Sequence, residues 1–198
     1  EEQREIQRGE EVDHRIAETD LKNLSNAPDL EKVKQTAPDA KMWLKFPDAD
    51  IDTVVVQGSD NEFYLKHLPD KTAAPMGSVF LDKRNDPKIT NNYLSYIYGH
   101  NALNHVRFQG LDKIFDSDKE TYFYIYQDGN RYTYKVVYKI QVNPYNDLYP
   151  SEDTPIKNAE MLKSALKSSA NLSDADVSGV KDNTSYVSLV TCKSYTDS

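Results

Sequence analysis

Two side chains in this chain of 198 residues have the types and placement for covalent chemistry together. Cys192, the only cysteine, ends the short apolar run Ser188-Leu189-Val190-Thr191-Cys192, and its thiol is the one strong nucleophile available. Its best partner is His100, which closes Tyr98-Gly99-His100-Asn101 at the end of a second apolar run, Tyr93 to Tyr98. The two are 92 residues apart, so they meet only if the fold brings two strand ends together. A nucleophilic thiol beside an imidazole is the pair that acyl transfer requires, one group attacking and the other carrying protons. An ordinary thiol is only about 3% ionised at pH 7, and an ordinary imidazole is about a quarter protonated. A close thiolate–imidazolium pair raises the population of both active forms.

The plainer reading of a lone cysteine is a small buried hydrophobe. His14 in a charged segment, His67 in a loop and His105 just after His100 read as solvent-facing or satisfied histidines. A metal site from His100, His105 and Cys192 would lack the close paired spacing of zinc motifs, so no metal and no cofactor is expected. Asp116-Ser117-Asp118-Lys119-Glu120 lacks the glycine and ligand register of a calcium loop and reads as a solvated turn.

The elements that must position the pair are mostly strands. The length suits one domain with a real core. Hydrophobic residues are 38% and charged residues 28%, and 14 tyrosines with 6 phenylalanines carry much of the apolar area, a mix that fits a β-rich domain with a wet surface. The formal net charge of −8 argues against a nucleic-acid partner. One cysteine excludes an internal disulfide. No apolar run approaches the roughly 20 residues of a membrane span, so contact with a membrane is expected only through an anchor outside this sequence.

Residues 1–38 read as a helical segment, with a charged helix from Glu1 to Asn26 stopped at Ala27-Pro28 and a short helical piece from Leu30 to Gln35. From Met42 the period becomes that of strands: Met42 to Phe46, Thr53 to Gln57, Ser78 to Asp82 and Tyr93 to Tyr98. Phe108 to Phe115 has helical spacing. Thr121 to Gln127 and Arg131 to Val142 flank the hairpin turn Asp128-Gly129-Asn130. Thr154 to Ala170 is helical, with Asp153 as cap and Pro155 in the first turn, and Ser185 to Cys192 is the last strand. This succession predicts a mainly β fold over 39–198, a closed or nearly closed barrel with peripheral helices.

Four blocks of the chain resemble the sortases, class B in particular. Ser188 to Cys192 is similar to that family's Thr-Leu-x-Thr-Cys strand end, with Ser188 replacing the first threonine, and Tyr98 to Asn101 resembles its histidine strand. Val54-Val55-Val56-Gln57-Gly58-Ser59-Asp60-Asn61-Glu62-Phe63-Tyr64-Leu65 and Gly77-Ser78-Val79-Phe80-Leu81-Asp82-Lys83-Arg84-Asn85 resemble two further class B segments, in family order. The resemblance implies a sortase-type barrel with an N-terminal helix and a helix inserted before the cysteine strand. It implies a cysteine transpeptidase on the outer face of a Gram-positive membrane, N-terminally anchored. Cys192 would cleave the C-terminal sorting signal of a surface protein or pilin through a thioacyl intermediate, with His100 moving protons. An amine of a peptidoglycan precursor or a pilin lysine would then resolve it. A silent sortase-like scaffold and a peptidase acting by hydrolysis are the alternatives.

For the oxyanion the resemblance implies backbone near Thr191, a role at the site for Asn61, and an arginine on the strand after the cysteine. That arginine is missing from Lys193-Ser194-Tyr195-Thr196-Asp197-Ser198. The expectation is therefore a barrel lacking its final strand.

Overall fold

The computed structural model describes residues 28–102, 106–142, 148 and 155–191. The helix expected over Glu1 to Asn26, His14, His105 and Cys192 itself lie outside the described residues. Asp29 opens α1 (Leu30–Thr36), its side chain accepting from the amides of Glu31 and Lys32. Such a cap satisfies donors that the first turn leaves without partners.

The alternation expected from Met42 onward becomes a seven-stranded sheet. Its strands are β1 (Ala40–Phe46), β2 (Ile51–Val56), β3 (Phe80–Leu81), β4 (Leu94–Tyr98), β7 (Tyr122–Gln127), β8 (Asn130–Lys135) and β9 (Tyr186–Val190), in the order β8-β7-β1-β2-β3-β4-β9. The sheet curls into a nearly closed barrel. β5 (Asn101–Ala102) and β6 (Val106–Arg107) form a separate two-stranded ribbon, too short to show a period in the sequence. Asp128 and Gly129, at φ 51° and 73°, make the expected hairpin turn between β7 and β8.

Side-chain alternation divides the core into layers. Met42, Leu44, Phe46, Val55, Leu81, Ile97 and Ile125 fill the barrel interior. Trp43, Val54, Val56 and Phe80 face the other way and are covered by α1 and the segment carrying Tyr64, Leu68, Ala74 and Met76. Beyond β6, α2 (Leu111–Phe115) replaces the longer helical stretch expected from Phe108. On the far side of β4, Leu94 and Tyr96 pack against α3 (Ala159–Ala170) through Ala159, Leu162, Ala165 and Leu166. Burying each leucine contributes about 1.5–3 kcal/mol.

Two further boundaries depart from the sequence reading by several residues. α3 starts at Ala159 rather than Thr154, because Asn158 is the capping residue, its side chain accepting from the amide of Met161. β8 stops at Lys135 rather than Val142, because its partner β7 begins with Tyr122, opposite Lys135.

Candidate active site

His100 follows β4, and three contacts fix it. The Gly99 amide donates to the carbonyl of Val190 at 3.1 Å, tying the residue before it to β9. Its own carbonyl accepts from the Phe108 amide at 3.0 Å. Its ring Nε2 lies 2.8 Å from the carbonyl of Leu65, which can only accept, so the contact is a hydrogen bond when the proton sits on Nε2. Gly99 is required by closeness: a Cβ there would come within 2.8 Å of the Phe108 ring, which is fully buried. Asn101 donates its side-chain amide to Asp112 of α2.

β9 is the other half. It pairs in parallel with β4 from Leu94↔Tyr186 to Tyr98↔Val190, every pair 92 residues apart. That offset equals the separation of His100 and Cys192 in the sequence. The ladder thus sets side by side the strand positions two residues short of each. Thr191, the residue after β9, is partly buried, and its Oγ1 is buried with no hydrogen-bond partner among the described residues.

Beneath Tyr98 lies a buried carboxylate. Asp82 is 1% exposed and takes two side-chain hydrogen bonds from Arg84, at 2.8 and 2.7 Å, and one from the Arg84 amide at 2.8 Å. Asn61 Nδ2 donates to it at 3.0 Å and the Tyr98 hydroxyl at 2.9 Å. Burial opposes its ionisation, but these donors, Arg84 first, outweigh burial and hold the carboxyl below its ordinary range. Burial and the nearby carboxylate push the Tyr98 phenol far up. Asn61, expected at the oxyanion or substrate, is thus engaged at both ends, since its Oδ1 accepts from the Lys83 amide. Gln57 donates to the carbonyls of Asp82 and Asn85, and Asn85 Oδ1 accepts from the Tyr96 amide. A polar lattice therefore binds two loops to β4, the strand that leads to His100.

A family model of the sortase domain matches residues 44–198. This chain belongs to the sortase family. Sortase B of Listeria monocytogenes is 38% identical over 93 residues, which is 46% of this chain and only 35% of that relative's length. The solved sortase B of Clostridium perfringens is 28% identical, covers 83% of this chain and 91% of its own, and has a TM-score of 0.65. A Bacillus anthracis protein similar to sortase B reaches a TM-score of 0.75 at 21% identity, over 94% of this chain and 91% of its own, a likeness of fold. The similarity is to class B, as the sequence blocks implied.

Within this sortase the other histidine and arginines among the described residues have other surroundings. His67 stacks on Phe63 with ring centroids 3.9 Å apart, and its Nδ1 is 2.7 Å from the Phe63 carbonyl. Arg131 lies over the Tyr124 ring. Arg107, on the ribbon beside His100, donates its Nε to the Gly77 carbonyl at 2.9 Å. Among the described residues no helix is long and apolar enough to cross a membrane. Sequence reasoning did not assign roles to Gln57, Asp82, Arg84, Asn85 and Arg107. The first four stood inside the resembling blocks, and that placement was the only signal.

Proposed function

We propose that this sortase is a cysteine transpeptidase acting on C-terminal sorting signals, with Cys192 as nucleophile and His100 as proton carrier. The observation that carries the reading is the constant offset of 92 residues across the β4–β9 ladder, which equals the distance in sequence between these two residues. The thiolate sulfur of Cys192 adds to a backbone carbonyl of the signal peptide, and the carbon–nitrogen bond breaks as His100 protonates the departing amine. The thioester left on Cys192 is attacked by an acceptor amine, whose proton His100 removes as the new amide forms. Backbone near Thr191 bears on the oxyanion, a class of donor worth about 10²- to 10³-fold in rate. Asn61 enters through the loop it ties to Asp82 and Lys83.

In this reading residues 1–38 are a spacer and 39–198 the catalytic unit, held by an N-terminal anchor at the outer face of a Gram-positive membrane. The acceptor is an amine of a peptidoglycan precursor or of a pilin lysine. The test is incubation with sorting-signal peptides and acceptor amines, followed by mass spectrometry of enzyme and products. A thioacyl adduct on Cys192 and an amide-linked product, both absent in Cys192→Ala and His100→Ala, are expected. Hydrolysed peptide as the dominant product under saturating amine sinks the assignment. A cellular role kept intact by Cys192→Ala would indicate a scaffold.

A further inference from the structure

His100 is oriented by a backbone carbonyl, and the parts that hold this carbonyl lie far from it in sequence. Leu65 ends a short helical turn, Phe63–Leu65. Asp60 holds the entry to this turn, its side chain accepting from the amides of Glu62 and Phe63 at 2.8 and 2.7 Å. On the other side stands Gly77, at φ 57°. A Cβ at Gly77 would sit 2.5 Å from the Tyr64 carbonyl oxygen and 2.7 Å from that of Leu65. The contact is too close for any side chain, and a positive φ adds strain for any residue but glycine. The Ser78 amide donates to the Tyr64 carbonyl at 2.8 Å, closing the same joint. Arg107 then grips Gly77 from the histidine's own side: its Nε donates to the Gly77 carbonyl, while its backbone pairs with Asn101, the residue after His100.

From this closed circuit, Leu65 to Gly77 to Arg107 to Asn101 and back to His100, we infer that the Leu65 carbonyl fixes the tautomer and orientation of His100, and that Gly77 and Arg107 are positioning residues for it. The inference rests on the proposed role of His100 as proton carrier. With Nε2 committed to the Leu65 carbonyl, the neutral ring has its lone pair on Nδ1, and proton exchange with the substrate amines passes through that nitrogen. The carbonyl does for this imidazole what a carboxylate does in a serine-hydrolase triad, without a full charge. A displacement of about 1 Å in such a group costs up to about 10²-fold in rate.

The test combines nitrogen-15 NMR of the imidazole ring with steady-state kinetics on the full chain. In the unaltered protein the neutral His100 ring should carry its proton on Nε2; a ring protonated on Nδ1 overturns the inference. Gly77→Ala should give a mixed tautomer signal and a fall of about 10- to 100-fold in kcat, with KM changed far less. Should Gly77→Ala fail to fold, Arg107→Gln and Arg107→Lys address the same joint without a clash. Each should shift the tautomer signal and lower kcat by about 10-fold, the lysine variant included, because it keeps the charge but lacks the Nε donor. Variants that lose only thermal stability, with tautomer and kcat unchanged, overturn the inference. A ring protonated on Nε2 together with full turnover in His100→Ala supports the orientation and overturns the functional reading instead.

Discussion

Tyr98 and Val190 are parallel neighbours across the β4–β9 ladder, and the amide of Gly99 donates to the Val190 carbonyl at 3.1 Å. This bond lies one residue before His100 on one strand and two before Cys192 on the other. The relative position of the two strand ends is therefore set by backbone geometry rather than by side-chain packing alone.

Gly99→Ala should disturb that bond directly. The added methyl would meet Cγ, Cδ1 and Cδ2 of Phe108 at 2.8 to 3.1 Å, and Phe108 is buried with no room to retreat. Overpacking of this kind costs about 1–3 kcal/mol. Urea unfolding should show that loss, and peptide turnover should fall with it. Adding Phe108→Leu should recover part of both, whereas a single variant as stable and active as the parent would contradict the packing argument.

The buried Asp82 carboxylate predicts an acid limb of the stability curve. Its folded pKa lies below its unfolded value, so the unfolded chain binds more protons as pH drops. The stabilisation is complete above about pH 4, the ordinary carboxylate range, and disappears as pH falls through the folded value. Other carboxylates with lowered values, Asp39 and Asp86 among them, share this limb, so the difference between two proteins is the measure. Asp82→Asn removes the partner of Arg84 and should cost about 3 kcal/mol at neutral pH. Thermal unfolding between pH 2 and 7 should show the parent converging on the variant in acid. Parallel curves would mean that Asp82 is not the group responsible.

Leu162→Ala tests the layer behind β4. Leu162 is buried among Ala159, Leu166, Leu94 and Tyr96, and deleting its branched end should cost about 2–5 kcal/mol. Because that layer covers the outer face of β4, amide exchange along Leu94 to Tyr98 should quicken more than exchange along β7. Uniform quickening would argue that α3 supports the whole barrel equally.

How much of this was legible in the sequence depends on the range of the interaction. β4, β9 and the Asp128-Gly129 hairpin were readable because apolar runs and turn residues are local signals, and their bounds differ from expectation by a residue or two. The start of α3 was misread because Asp153 with Pro155 offers as good a local cap as Asn158, and only packing chooses between them. The alternation from Arg131 to Val142 outruns β8 because a ladder ends where its partner ends. Cys192 and His100 were conspicuous by type. The supporting network was not: Gln57 to Asn85 and Arg107 to Gly77 are hydrogen bonds across 28 and 30 residues, and long-range polar pairing leaves no period to read.

The offset of 92 residues between β4 and β9 also bears on how the chain folds. It exceeds that of every other strand pairing among the described residues, β1 with β7 being next. Closing so long a loop is entropically the most demanding step of the sheet, and pairings of this kind form slowly. Six strands can reach their register while β9 is still undocked. A newly made chain would then pass through a stage in which the rest of the sheet is built while the strand leading to Cys192 is still free and Gly99 still lacks its bond to Val190, so that under the proposed function the two strand ends come together only with the final docking event.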